Sequence, residues 1–180
     1  RSRRPQPGAL GNGTSGVSPE RMKRYSPRQI ERTLAKYETD EVEVVVSDAL
    51  RVQMLETTDA YALLDRLLEQ EEAGRARVTR FPYWAEIWPA ALGLAQWFAS
   101  RDVARGGPRG AARELGCGVG LAGIALARLG WQVEATDYVE DALVFANHNA
   151  RRNGVDGRHR VSYLDWSHPV GRPCAFLVGA

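Results

Sequence analysis

Strand-like and helix-like patterns of apolar residues alternate through the second half of the chain. Residues 111–115, 131–137 and 160–164 carry apolar side chains at strand spacing, and 175–180 is a nearly continuous apolar run. Leu121, Ile124 and Leu129 follow the first of these strands at helical spacing. Strands that alternate with helices are typical of a parallel sheet covered by helices. We therefore predict an α/β fold with a doubly wound sheet, of which these four strands are readable.

The first half of the chain has the pattern of a small accessory element. Alternating apolar residues over 42–46 and 50–54, separated by a Ser47-Asp48 turn, predict a β-hairpin. A helix-compatible run over 28–37 precedes the hairpin, and Thr58-Asp59 caps a second helix that extends to Gly74. These patterns predict an N-terminal accessory region over 22–80, followed by a ligand-binding domain over 81–180.

The first twenty residues have the composition of a disordered segment. They contain Arg, Pro, Gly and Ser with few apolar side chains, so ordering them brings little burial in return. The chain begins without methionine, and Met22 is a plausible native start. We expect residues 1–21 to be a disordered or non-native tail, with an arginine-rich transit peptide as the alternative.

Charge and composition narrow the function only slightly. A net charge of +2 is too small to indicate nucleic acid, and no apolar run approaches the roughly 20 residues of a membrane helix. The two cysteines have no disulfide or metal spacing, which favours a reducing cytoplasm. His159 and His168 are predicted in polar loops, and Glu140 and Asp141 are predicted to cap or charge a helix start. We expect a cytoplasmic protein without a membrane, nucleic-acid or metal partner.

The most informative segment is a glycine-rich turn between the first strand and the helix after it. Residues 114–120 read Glu-Leu-Gly-Cys-Gly-Val-Gly, and glycines allow the backbone to approach a ligand closely. Gly118, Gly120 and Gly123 satisfy the G-x-G-x-x-G pattern of dinucleotide-binding proteins. The next strand ends at Asp137, and a carboxylate there accepts hydrogen bonds from ribose hydroxyls. Both features indicate a cofactor that contains adenosine, and neither distinguishes one such cofactor from another.

Four ordered motifs resemble one family. Residues 114–120 also spell E-x-G-x-G-x-G, which resembles motif I of class I S-adenosylmethionine-dependent methyltransferases. Asp165-Trp166, after the third strand, resembles the site where those enzymes hold adenine. Residues 82–91, Pro-Tyr-Trp-Ala-Glu-Ile-Trp-Pro-Ala-Ala, are similar to the entry segment of the seven-β-strand protein-lysine methyltransferase-like family, methyltransferase family 16, with its nicotinamide N-methyltransferase-like relatives. Residues 147–154 resemble the helix that follows strand two in that family.

This resemblance implies a Rossmann-like methyltransferase sheet and S-adenosyl-L-methionine as the cofactor. It also implies transfer of a methyl group to a nitrogen, with a protein lysine favoured over a small amine or a protein N-terminus. No catalytic side chain is predicted, and the Cys117 thiol is interpreted as a small group that fits between glycines. The implied cofactor-binding residues are Trp88, Glu114, Gly116, Cys117, Gly118, Gly120, Asp137, Tyr138, Asp165, Trp166, Gly179 and Ala180.

By the same resemblance, the chain contains four of seven expected strands. The family continues Gly179-Ala180 with Asp-x-x-Tyr, and its acceptor groups follow the fourth strand, so we expect a chain that carries the cofactor half and is inactive alone. The partner is expected to be a protein acceptor, and the sequence leaves the oligomeric state open. A nicotinamide-cofactor oxidoreductase and an inactive cofactor-binding module remain alternatives.

Overall fold

A computed structural model describes residues 22–74, 81–101, 110–168, 174 and 176–180. The predicted tail over 1–21 and most of the loop before the glycine-rich turn lie outside these residues. The described elements are α1 (Pro27–Leu34), β1 (Thr39–Ser47), β2 (Leu50–Thr57), α2 (Ala60–Glu72), a 3₁₀ turn (Tyr83–Ala85), α3 (Pro89–Ser100), β3 (Ala111–Leu115), α4 (Leu121–Arg128), β4 (Gln132–Asp137), α5 (Glu140–Arg152), β5 (His159–Tyr163) and β6 (Phe176–Gly179).

Four parallel strands form the main sheet in the order β5-β4-β3-β6. The chain therefore runs outward from β3 to β5 and returns to the other side of β3 for β6. This reversal is the strand order of a doubly wound α/β sheet, so the predicted fold class is confirmed. Ligands bind such sheets at the carboxyl ends of the strands, beside the reversal point.

Helix starts follow from local sequence. Ser26 accepts from the backbone N–H of Gln29, whose side chain in turn accepts from the backbone N–H of Ser26, which forms a capping box at α1. Asp59 accepts from two backbone N–H groups at the start of α2. Pro89 occupies the first position of α3, where the missing N–H needs no partner. The predicted start of α2 at Asp59 is confirmed, and α1 begins at Pro27, one residue before the predicted run.

One hydrophobic core joins the predicted accessory hairpin to the sheet. Helices α3, α4 and α5 lie between them, and β1 pairs with β2 in an antiparallel hairpin on the outer side of these helices. Buried side chains of the hairpin, the helices and the sheet share a single cluster that includes Val52, Met54, Phe98, Ile124 and Phe145. The hairpin thus helps to hold the helices that flank the glycine-rich turn.

The segment before β1 is bound to the start of α5. Lys23 pairs with Glu140 and Lys36 pairs with Asp141, and these are the only lysines of the chain. The hydroxyl of Tyr37 also donates to Asp141. The two acids lie in the first turn of α5, as predicted, but no side chain caps that helix. The two acids therefore charge the start of α5, as one of the two predicted roles, and their carboxylates also bind side chains of a distant segment.

None of the helices in the described part of the chain is both long enough and apolar enough to cross a membrane.

Candidate cofactor-binding site

A cavity of about 480 Å³ opens at the carboxyl ends of β3 and β4. This volume lies within the range of about 300–1,000 Å³ that small-molecule sites occupy. Nine of the twelve predicted site residues line it: Trp88, Glu114, Gly116, Cys117, Gly118, Asp137, Tyr138, Trp166 and Ala180. The sheet topology therefore brings together motifs that are far apart in the sequence.

Two glycines give the turn its shape. Gly116 and Gly118 have φ of 65° and 51°, a conformation that side chains other than glycine rarely adopt. A Cβ on Gly118 would lie 3.2 Å from the carbonyl oxygen of Trp84, and one on Gly116 would lie 3.1 Å from the Trp166 ring. The turn is thus packed between the segment before α3 and the segment after β5. Larger residues here would change the floor of the cavity.

Asp137 ends β4 with its carboxylate at the cavity. It is 4% exposed, and its two oxygens accept from the backbone N–H groups of Gly118, at 3.0 Å, and Val139, at 2.9 Å. A carboxylate has about four lone-pair sites, so each oxygen retains capacity for another donor. Burial raises the pKa of Asp137, and the backbone N–H groups oppose that rise. The arrangement fits acceptance from the two hydroxyls of a ribose.

Glu114 is a second carboxyl group at the cavity, and it comes from β3. It is 2% exposed, and Oε1 accepts from the backbone N–H of Gly123 at 3.2 Å. Burial raises its pKa to about 8, and the nearby Asp137 adds to the rise while the Gly123 N–H opposes it. A buried carboxyl group that lines a cavity favours a positively charged ligand, because such a ligand stabilises the ionised form.

Aromatic side chains form the walls. The indole N–H of Trp88 donates to the carbonyl of Tyr83 at 2.6 Å, and the two rings lie 5.4 Å apart. Trp84 packs against Tyr37 and Phe145, which connects the wall to the accessory region and α5. Trp166 is 60% exposed at the other side of the cavity, so its ring face is accessible to a planar group.

Three predicted site residues do not line the cavity. Gly120, with φ of 96°, starts α4, and a Cβ there would lie 3.0 Å from the Cβ of Ala146. The side chain of Asp165 accepts from the backbone N–H and the hydroxyl of Ser167. Gly179 pairs with Leu115 in the sheet. Their assignment to the cofactor stays a prediction.

Several lining residues were missed in the sequence. They are Phe81, Tyr83, Trp84, Glu86, Ile87, Ala90, Ala91, Val119, Leu121 and Val139. Most belong to the segment before α3 or its first turn, and the motif over 82–91 was the signal that could have identified them. The sequence analysis selected Trp88 alone from this segment, whereas most residues from 81 to 91 line one wall of the cavity.

His159 was placed wrongly by the sequence. It begins β5 and is 1% exposed, and burial lowers its pKa to about 4. Polar neighbours on both sides indicated a loop, but pairing with Val133 places the side chain in the interior. No group of three or more His, Cys, Asp or Glu residues among the described residues could hold a metal ion.

Comparisons with known proteins identify the chain's relatives. A sequence profile for lysine methyltransferases matches residues 75–175, more than half of the chain. Ribosomal protein L11 methyltransferase of Campylobacter fetus is 48% identical over 44 residues, which cover 24% of this chain and 16% of that protein. Ribosomal RNA small subunit methyltransferase C of Alcanivorax borkumensis is 38% identical over 52 residues, which cover 29% and 16% of the two chains. The chain thus aligns with about a sixth of the length of either curated relative.

A solved S-adenosylmethionine-dependent methyltransferase from Agrobacterium tumefaciens shows a similar arrangement. It matches with a TM-score of 0.48 and 16% identity, over 71% of this chain and 32% of that one.

The cavity fits the cofactor of this methyltransferase family, S-adenosylmethionine. Asp137 retains acceptor capacity for a ribose, and Glu114 lines the cavity as a buried carboxyl whose ionised form a ligand with an ammonium and a sulfonium would stabilise. The glycine-rich turn leaves room that a Cβ would fill. With the motifs, the fold, the cavity and the profile in agreement, the chain belongs to the lysine methyltransferase family.

Proposed function

We propose that this protein is an S-adenosylmethionine-dependent methyltransferase that methylates the side-chain nitrogen of a protein lysine. The observation that carries the proposal is the cavity at the end of β3 and β4, where Glu114 and Asp137 meet the glycine-rich turn. The family description supports lysine as the acceptor. The short match to a ribosomal RNA methyltransferase makes RNA the competing acceptor class, whereas the short match to a ribosomal protein methyltransferase agrees with a protein acceptor.

The geometry disfavours the nicotinamide cofactor that the G-x-G-x-x-G pattern allowed. In dinucleotide-binding folds the pyrophosphate lies at the helix start after the first strand. Here the buried carboxyl group of Glu114 lies close to that position, and a pyrophosphate would disfavour its ionised form, whereas a cationic ligand would stabilise it.

Methyl transfer requires little acid–base chemistry from the protein. When bound, S-adenosylmethionine supplies a methyl group on a positively charged sulfur, which is already a good leaving group. The chain's own contribution is to bind the adenosine and amino acid parts, to orient them and to exclude water. Asp137 and Trp166 suit the adenosine part, and Glu114 suits the ammonium. Trp88 and Tyr83 form an aromatic wall on one side of the cavity.

The acceptor amine must be neutral before it can attack. A lysine in water has a pKa near 10.4, so it is protonated at neutral pH. Burial lowers the pKa of an amine because it disfavours the charged form. The aromatic wall of Phe81, Tyr83 and Trp88 provides an apolar environment of this kind beside the cavity.

Ligand-dependent stabilisation tests the cofactor assignment. S-adenosylhomocysteine should raise the unfolding temperature, and at a hundredfold excess over its Kd it should add about 2.7 kcal/mol to the free energy of unfolding. NAD should leave the unfolding temperature unchanged. Stabilisation by NAD without stabilisation by S-adenosylhomocysteine would contradict the proposal.

Methyl transfer in a cell extract tests the acceptor. The protein is incubated with extract and S-adenosylmethionine labelled in the methyl group, and the labelled material is then treated with protease or ribonuclease. We expect protease to release the label, ribonuclease to leave it in place, and mass spectrometry to locate it on lysine. Label that only ribonuclease releases would identify RNA as the acceptor instead. Asp137→Ala should abolish labelling in either case.

A further inference from the structure

Glu114 and His159 are two buried titratable side chains that approach the same point beside α4. A Cβ on Gly123 would lie 2.3 Å from Oε2 of Glu114 and 3.0 Å from Nε2 of His159. Neither of these atoms has a hydrogen-bond partner among the described residues. A buried polar atom without a partner is costly. The space left by a glycine inside a helix is therefore where the two side chains can meet.

The register of the sheet explains why they can meet. Ala135 on β4 pairs with Glu114 on one side and with Val161 on the other, while Val133 pairs with His159. Side chains at every second position share a face of a sheet, so Glu114 and His159 lie on the same face with β4 between them. Gly123 of α4 covers this face, and its missing side chain leaves the path above β4 open.

We propose that His159 is a positioning residue of the cofactor site, which donates from Nε2–H to Oε2 of Glu114 once that carboxyl ionises in response to a cationic ligand. Oε1 already accepts from the backbone N–H of Gly123, so each carboxylate oxygen then has a donor. Burial keeps the His159 imidazole neutral, because it lowers the pKa to about 4. A neutral imidazole has one N–H, and this bond places that hydrogen on Nε2.

The surroundings of Glu114 make such a donor necessary. Among the described residues, Asp137 on β4 disfavours ionisation of Glu114 by its charge, and burial does so more strongly. The Cys117 thiol in the adjacent turn stays neutral, since burial and both carboxyl groups raise its pKa. The Gly123 N–H on α4 favours the ionised form, and the proposed donor, His159 on β5, would add to it. Loss of the His159 donor should therefore leave Glu114 protonated over a wider pH range.

This inference rests on the cofactor assignment in the proposed function. An ionised Glu114 attracts a ligand with an ammonium group, whereas a protonated one does not. His159 should thus affect the affinity for S-adenosylhomocysteine, which has an ammonium, and leave methylthioadenosine unaffected, since that ligand has the same adenosine and sulfur without the amino acid. The comparison of two ligands separates an electrostatic role of His159 from a packing role.

Calorimetric titration of the full-length protein from about pH 6 to about pH 8 tests the proposal. His159→Leu should weaken S-adenosylhomocysteine binding at neutral pH by at least about fivefold and move its pH dependence to higher pH, because a hydrogen bond to a charged group is lost. Methylthioadenosine binding should not change. His159→Gln restores an N–H donor and should recover the affinity to within about twofold. His148→Leu, on α5, is the matched control and should match the wild type.

A cofactor-free measurement supplements the titration. Nitrogen NMR of the wild type above about pH 8, where Glu114 ionises, should show the His159 proton on Nε2, and Glu114→Gln should shift that resonance. A proton on Nδ1, or an equal loss of affinity for both ligands in His159→Leu, would overturn the proposal. Binding of S-adenosylhomocysteine that is unchanged in His159→Leu at every pH would do the same and leave the proposed function intact. Failure of the wild type to bind S-adenosylhomocysteine would instead overturn the proposed function, and this inference with it.

Discussion

Asp137 is the residue for which the structure agrees most directly with the position that the sequence predicted, at the end of a strand. Its carboxylate is fixed by two backbone N–H groups and retains acceptor capacity at the cavity. Asp137→Ala should lower the affinity for S-adenosylhomocysteine at least tenfold, since hydrogen bonds to charged groups contribute about 1.5–3 kcal/mol. Calorimetry checks this, with Asp141→Ala on α5 as a control outside the cavity. Equal affinities in the Asp137 variant and the wild type would show that the ribose binds elsewhere.

Gly123 gives a second test at the residue scale. Alanine is favoured over glycine in a helix by about 1 kcal/mol, but a Cβ at Gly123 would lie 2.3 Å from Oε2 of Glu114. Gly123→Ala should therefore displace the Glu114 carboxyl and lower S-adenosylhomocysteine affinity at least tenfold, with little gain in stability.

Gly93 in α3 is the matched control for that variant, because a Cβ there would have no atom within 4 Å. Gly93→Ala should stabilise the protein by about 1 kcal/mol and leave affinity unchanged. Chemical denaturation and calorimetry on both variants make the comparison. Tighter binding by Gly123→Ala would refute the displacement argument.

At this scale, local motifs were predictable and long-range contacts were not. Asp137 follows a strand and precedes a helix, so its position at the sheet edge could be read from the sequence. His159 could not, because its burial depends on the register between β4 and β5. For Asp165 the decisive contact is local, because Ser167, two residues later, donates two hydrogen bonds to its carboxylate. A short Asx turn of this type competes with a ligand for Oδ1, which accepts both bonds.

At the scale of elements, side-chain hydrogen bonds from α5 hold the edge of β2, and the pattern of apolar residues does not reveal them. The side-chain amide of Asn149 accepts from Leu55 N–H and donates to the carbonyls of Leu55 and Val119. It thus replaces a neighbouring strand at the edge of β2 and also binds the glycine-rich turn. Asn153, one helical turn later, makes the equivalent pair of bonds to Gln53.

Asn149→Ala should lower the free energy of unfolding by about 2–4 kcal/mol, because buried backbone groups without partners cost about 1–3 kcal/mol each. Asn153→Ala is the matched control. Its bonds are more exposed, so water can replace them and the loss should stay below about 1 kcal/mol. Chemical denaturation with a constant m-value checks both. Equal losses in the two variants would show that burial of the amide is unimportant.

Most elements were predictable because each has its own periodicity and start signal. The hairpin, the four strands and the helices after Asp59 and Trp88 all appear where patterns place them. Helix α1 was predicted to continue to Tyr37 but ends at Leu34, since Tyr37 instead packs against Trp84 and binds Asp141. The packing of the hairpin over α3 to α5 was not predictable, because amide side chains and a shared core specify it.

For the molecule as a whole, two buried groups give opposite contributions to the pH dependence of stability. Burial raises the pKa of Glu114 from 4.5 to about 8, so its contribution to stability is complete below pH 4.5 and is lost as the pH rises to about 8. Burial lowers the pKa of His159 from 6.5 to about 4, so its contribution is present above pH 6.5 and is lost as the pH falls to about 4. Between pH 4.5 and pH 6.5, a rise in pH lowers the contribution of Glu114 to stability and raises that of His159.

Above pH 6.5 the imidazole of His159 is already neutral in both the folded and the unfolded state, so Glu114 alone of this pair affects stability there. The free energy of unfolding should fall by up to about 1.4 kcal/mol per pH unit between about pH 6.5 and about pH 8, because folding then forces a buried carboxyl to hold its proton or to ionise without water. Glu114→Gln cannot ionise, so its stability should stay nearly constant over the same range. Urea denaturation of both proteins at several pH values measures the difference, and other titrating groups cancel in the comparison. If the wild type and Glu114→Gln lose stability in parallel as the pH rises, Glu114 is not the buried acid that the cavity geometry describes.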